Sequence, residues 1–148
     1  MIKRDRYIAK LAKKQWNGRI KIITGIRRCG KSTLLFELFR SFLLDSGVEE
    51  KNIISFKLDD DEYEDFRAPK KISEHVRKIA ADKNQKYYVF IDEAQYAISK
   101  EEMKNPDVPI RLYGVLNSLL RKRNVDVYIT GSNSKFLSSD IMTEFRGR

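Results

Sequence analysis

The chain has 148 residues, enough for one globular domain with its own core and too few for two. Hydrophobic residues make up 41% and charged residues 34%, which excludes the disordered and membrane-embedded classes. Thirty Lys and Arg against twenty-one Asp and Glu give a net charge of +9, a field that favours a polyanionic partner without saying whether the cations share a face.

The longest unbroken apolar run, Tyr87 to Ile91, is too short to cross a bilayer or to form the apolar segment of a signal peptide. Cys29 is the single cysteine, so no internal disulfide forms, in agreement with a reducing compartment. A soluble, cytoplasmic protein is expected, with no membrane partner.

In chain order, Ile2, Tyr7, Ile8, Leu11 and Ala12 form a loose helical stripe over 2–15, closed by Asn17-Gly18. A strand follows at 19–24. Leu34, Leu35, Leu38, Phe39, Phe42 and Leu43 recur at spacings of three and four, which predicts a helix over 31–44 ended by Asp45-Ser46-Gly47. Ile53-Ile54-Ser55-Phe56 marks a second strand over 52–57, and the acidic run 59–65 reads as an exposed loop or edge. Pro69 opens a helix with Ile72, Val76, Ile79 and Ala80 inward. His75 lies beside them, a surface or packed ring, because no His or Cys stands at ligand spacing. Residues 87–91 form a fully buried strand without alternation. Pro106, Pro109 and several charges make 99–109 a loop or insertion, a helix follows at 110–122, a fourth strand at 125–130, and a last helix at 134–144. Strands alternating with helices predict a parallel sheet covered on both faces, with ligands beyond the carboxyl ends of the strands.

At one such end stands Gly25-Ile26-Arg27-Arg28-Cys29-Gly30-Lys31-Ser32-Thr33. It fits G-x-x-x-x-G-K-[ST] between a strand and a helix, and a chance match in a chain of this length arises about half a percent of the time. Gly25 and Gly30 allow backbone amides to turn inward onto phosphate oxygens. Lys31 brings a mobile charge to the β- and γ-phosphates, Ser32 offers a hydroxyl to Mg²⁺, and the helix beginning here adds its positive dipole end. Arg28 and Cys29 occupy variable positions of the loop, where Arg27 and Arg28 reach phosphate, face solvent or pair with another subunit. Cys29 among cations is a candidate for a lowered thiol pKa or a small residue tolerated there. The nucleotide-binding set is thus Gly25, Arg28, Cys29, Gly30, Lys31, Ser32 and Thr33.

The buried strand at 87–91 delivers Asp92 and Glu93 about 60 residues behind this loop. Asp92 is expected to hold Mg²⁺ through its water shell, and Glu93 to polarise an attacking water. Gln95 either contacts that water or a neighbouring element, or is surface polarity. The fourth strand ends in Thr130-Gly131-Ser132-Asn133. A polar residue there reaches the γ-phosphate or the water, Asn133 first and Ser132 second, with a helix cap as the alternative.

These segments, with Phe145-Arg146-Gly147-Arg148, resemble the AAA+ superfamily of ATPases. More narrowly, they resemble a large prokaryotic group of predicted ATPases with a G-x-R-R-x-G-K-[ST] loop, a D-E-x-Q motif and a T-G-S-[NS]-S turn, usually followed by a C-terminal domain of unknown function. The run LDDDEYED at 58–65 also resembles that group. The resemblance implies a three-layer P-loop sandwich of sheet order 5-1-4-3-2. It implies that Asn133 senses the γ-phosphate and that an Arg in a G-R placed before the fifth strand, Arg148 first and Arg146 second, is an arginine finger entering a neighbour's site in a homo-oligomer. It also implies a fifth strand and a helical lid that the chain does not reach, so residues 1–148 read as the N-terminal part of a longer ATP-binding domain with an unpaired sheet edge.

The function expected is ATP binding and Mg²⁺-dependent hydrolysis. Two readings compete: a nucleotide-dependent switch or DNA-binding module with slow hydrolysis, which the positive charge suits, and a P-loop kinase, which needs an acceptor pocket and lid. Adjacent Asp92 and Glu93 favour water activation over the kinase.

Overall fold

The computed structural model describes residues 2–24, 30–131 and 142–143, the side chains of 2–5, 31 and 142–143 excepted. Among the described residues the strands are β1 (Lys21–Ile23), β2 (Ile53–Lys57), β3 (Tyr87–Asp92), β4 (Val125–Thr130) and β5 (Met142–Thr143). They form one parallel sheet of order β2-β3-β4-β1-β5, the order 5-1-4-3-2 expected. The fifth strand, expected to lie beyond the chain, is present instead. Lys21 pairs with Met142 and Ile22 with Thr143, so the outer edge of β1 is covered over two residues. Of the helix expected over 134–144, positions 142 and 143 are strand instead, and the rest lies outside the described residues. A strand of two residues carries no alternation to read, and Phe136, Leu137, Ile141 and Met142 happen to recur at helical spacing.

Continuous apolar strands are buried on both faces, and successive side chains go to opposite layers. On one side Ile22, Val89, Ile91, Val127 and Ile129 meet Ile72 and Val76 of helix α4 (Pro69–Ile79) and Leu112 and Leu116 of helix α6 (Arg111–Leu120). On the other side Ile23, Tyr88, Phe90 and Tyr128 meet Leu11 of helix α1 (Ile2–Lys13) and the buried Leu34, Leu35, Phe39 and Leu43. Those last residues lie on one helical path. It begins as α2 (Gly30–Thr33), widens to a π-helical segment at Leu34–Phe39 and continues as α3 (Arg40–Asp45). The wider turn keeps Leu35, Phe39 and Leu43, four residues apart, on one face. Gly47, at φ +101°, then takes a left-handed conformation that a side chain would disfavour, and the path ends.

Two segments differ from the sequence reading. Residues 99–109 contain helix α5 (Lys100–Lys104), whose start is a reciprocal cap: the Glu102 amide donates to the Ser99 hydroxyl at 3.1 Å and the Ser99 amide to the Glu102 carboxylate at 2.8 Å. The acidic run passes into a 3-10 helix at Asp61–Arg67, with none of its residues buried. Among the described residues no helix is long and apolar enough to cross a membrane.

At the amino-terminal edge of the sheet, the wholly buried Lys21 and Asp126 form an ion pair. Asp126 also accepts from the Tyr128 hydroxyl at 2.8 Å and from the backbone of Trp16 at 2.9 Å. Lys21 further donates to the Asn17 side chain at 3.1 Å. Burial lowers the Lys21 pKa and the Asp126 charge opposes that shift, while burial, reinforced by Asp126, raises that of Tyr128. The network fastens the turn between α1 and β1 to the floor of the sheet.

Candidate nucleotide site

Because the strands are parallel, β1, β4 and β3 release their carboxyl ends side by side: Ile23 stands opposite Thr130, and Ile91 opposite Ile129. The segment after β1, which includes Gly25, Arg28 and Cys29, lies outside the described residues. The chain re-enters as a helix at Gly30, with Lys31, Ser32 and Thr33 in the same turn.

That turn brings Ser32 onto Asp92, 60 positions away in the chain. The Ser32 hydroxyl lies 2.8 and 2.9 Å from the two carboxylate oxygens of Asp92. Asp92 is itself 6% exposed and also accepts from the buried Thr130 hydroxyl at 2.6 Å. The same Thr130 oxygen accepts from the backbone N–H of Glu93 at 2.9 Å. One threonine on β4 therefore orients both acidic residues at the end of β3.

Glu93 occupies a left-handed conformation, φ 55° and ψ 55°. Such backbone is costly for a residue with a Cβ, and it persists only where surroundings impose it. Here the conformation turns the chain sharply off β3 into the 3-10 turn Ala94–Ala97, with the Glu93 side chain only partly buried. Its carboxylate accepts from the Gln95 side-chain amide at 2.7 Å. Gln95 thus contacts the residue that caps its own turn, which none of the alternatives left open by the sequence describes.

A cleft of about 750 Å³ opens beside this group, lined by Ser32 and Asp92 together with Ser55, Lys57, Asp59 and Asp60 from the end of β2 and the residues after it. Lys57 stands opposite Asp92 in the β2–β3 register, and its ammonium lies 5.3 Å from the Phe36 ring centre. The oxygen donors of Ser32 and Asp92 suit a hard divalent cation such as Mg²⁺, which keeps several waters and takes few protein ligands. No cluster of three or more His, Cys, Asp or Glu that could enclose a metal occurs among the described residues.

The structure thus brings Gly30, Ser32, Asp92 and Glu93 to one edge. Asn133, Arg146 and Arg148 lie outside the described residues, as does Ser132. In the chain Arg146 and Arg148 follow β5 rather than precede the fifth strand. Sequence reasoning missed Thr130 and Lys57. Both were accessible from the expected sheet order, which places β4 and β2 on either side of β3.

A parallel sheet of this order, with a helix beginning at Gly30 after β1 and an acidic pair at the end of the strand two places away, is an AAA+ P-loop ATPase fold. Two solved structures of low sequence identity share it. One is of PCH-2 from C. elegans, with TM-score 0.60 and 16% identity over 97% of this chain and 41% of that one. The other is of Drosophila ORC bound to DNA, with TM-score 0.60 and 12% identity over 97% of this chain and 89% of that one. Residues 17–148 match the model of a family described as an AAA domain, and the chain belongs to that family.

Two curated relatives are uncharacterized proteins. The one from Haemophilus influenzae is 29% identical over 148 residues, all of this chain and 34% of its own length. The one from Methanocaldococcus jannaschii is 30% identical over 134 residues, 88% of this chain and 25% of its own length. The chain therefore spans about a third and a quarter of the relatives it matches. Family and fold together support a nucleotide-binding function of the ATPase type.

Proposed function

We propose that this chain is the nucleotide-binding core of a cytoplasmic, Mg²⁺-dependent ATPase. The observation that carries the proposal is the contact of the Ser32 hydroxyl with both oxygens of Asp92, beside the partly buried Glu93. In this reading the loop Gly25 to Thr33, with Arg28 and Cys29 in its variable positions, wraps the phosphates of ATP through backbone amides. Lys31 meets the β- and γ-phosphates. Ser32 and Asp92 hold Mg²⁺, which when bound neutralises charge on the phosphate oxygens.

Glu93 accepts a proton from the attacking water and orients it, and Gln95 fixes the carboxylate for that task. Thr130 positions Asp92 and Glu93 together. Asn133 senses the γ-phosphate, whereas the place of Arg146 and Arg148 after β5 takes away the ground for an arginine finger at either. A carboxylate next to the metal-holding aspartate favours water as acceptor over a metabolite hydroxyl, which sets the kinase reading aside.

The experiment is Glu93→Gln. ATP affinity is expected to stay within about threefold of the parent, while steady-state ATP turnover falls about a hundredfold or more, the range for loss of a general base. Turnover at the parental rate in the variant rejects the assignment.

A further inference from the structure

A wide cleft lies at the opposite edge of the sheet from the nucleotide site. It measures about 1190 Å³ and is bordered by the residues that lead into β1, β3 and β4 and by the end of α6. Arg19, Lys86, Arg121 and Arg123 line it, all exposed, and none forms an ion pair among the described residues. The single acidic residue in the lining, Asp126, is wholly buried and paired with Lys21. The cleft therefore presents four cations with no carboxylate to answer them. The cleft at the nucleotide edge, by contrast, carries Glu37, Asp59, Asp60 and Asp92 beside Arg40 and Lys57.

Its wall is built in advance. Trp16 is held in a left-handed conformation, φ 60°, by its backbone bond to Asp126, and its indole N–H donates to the Tyr88 hydroxyl at 3.2 Å. The Lys86 ammonium lies 5.1 Å from the Trp16 ring centre, so a cation and an aromatic surface share one side of the cleft.

We propose that this cleft binds a single strand of nucleic acid through its phosphates. An open, positively lined groove with an aromatic wall matches the way single strands are held, by backbone charge and base stacking. Its volume exceeds the usual range for small metabolites, about 300–1,000 Å³. This surface is separate from the nucleotide site and does not depend on hydrolysis there.

The test is fluorescence anisotropy with a labelled single-stranded DNA of mixed sequence, about 20 nucleotides long, between about 50 and 200 mM salt. The triple variant Arg19→Gln, Arg121→Gln, Arg123→Gln is compared with Lys70→Gln, Lys71→Gln, Lys78→Gln, which removes equal charge from exposed positions on α4. The cleft variant is expected to bind at least about tenfold more weakly, with a slope of log K against log salt shallower by about 2, three phosphates at about 0.7 each. The α4 variant is expected to change affinity by less than about threefold. Equal weakening in both variants, absence of salt-dependent binding by the parent protein, or tighter binding of the matching duplex overturns the proposal. Thermal unfolding of each variant checks that these exposed substitutions leave the fold intact, and the single variant Arg121→Gln, expected to weaken binding in the same direction, replaces the triple if the latter unfolds.

Discussion

Removing the Thr130 hydroxyl should disturb the site more than its size suggests. Thr130→Val keeps the shape of the side chain but deletes a fully buried oxygen that donates to Asp92 at 2.6 Å and accepts from the Glu93 N–H at 2.9 Å. The bond to a carboxylate is worth about 1.5–3 kcal/mol, and a buried N–H left unpaired costs about 1–3 kcal/mol. Because both bonds share one atom they do not add in full, and a loss of about 3 kcal/mol is expected. For a chain of this length that corresponds to a Tm lower by roughly 6–12 °C. Thr130→Ser retains the hydroxyl and loses one methyl, about 0.8 kcal/mol. Urea unfolding without nucleotide, comparing the three proteins at matched m-values, gives the answer. If Val and Ser variants are equally stable, or Val costs less than 1 kcal/mol by the scale used here, Thr130 does not organise the acidic pair.

Two further outcomes concern the core and its surroundings. Asp126→Ala leaves Lys21 without its partner and removes the acceptor of Tyr128 and Trp16, so a loss of about 3–5 kcal/mol is expected, whereas Asp126→Asn, which keeps an acceptor, costs less; equal losses in denaturant unfolding count against the network. His75 packs against the rings of Phe56 and Phe66 at 5.5 and 5.1 Å, and burial, with the Lys78 charge second, lowers its pKa. The unfolded chain therefore takes up the proton first as pH falls, so this contribution is fully present above the ordinary histidine value of about 6.5 and is lost as pH drops through the lower folded value. Unfolding free energies of His75→Gln across that range should show a shallower decline than the parent; parallel curves remove the histidine from the account.

Much of this was legible in the sequence because it repeats a physical signal. The apolar runs at 87–91 and 125–130 announce strands buried on both faces, and Tyr88, Phe90 and Tyr128 do alternate against Val89, Ile91 and Val127. Ser32 and Asp92, each singled out separately in the sequence, lie in hydrogen-bond contact. Short features were harder. β5 has two residues and no readable period, and α5 is mostly charged and stands just before Pro106 and Pro109, which argue for a loop. The Ser99–Glu102 spacing was its available signal. Thr130 was missed for a different reason: the expected sheet order does place β4 between β1 and β3, but in the local sequence Thr130 is an ordinary β-branched strand residue. The left-handed backbone of Glu93 likewise follows from the Thr130 bond and the turn after β3, neither of which a local pattern records.

The central claim is that the edge formed by β1, β4 and β3 holds a nucleotide with its metal. Calorimetric titration with ATP, with and without Mg²⁺, of the parent and of Lys31→Ala tests it most directly. The account predicts Mg²⁺-dependent binding by the parent and its loss in the variant. ATP affinity that is the same in both proteins, or binding indifferent to Mg²⁺, contradicts it.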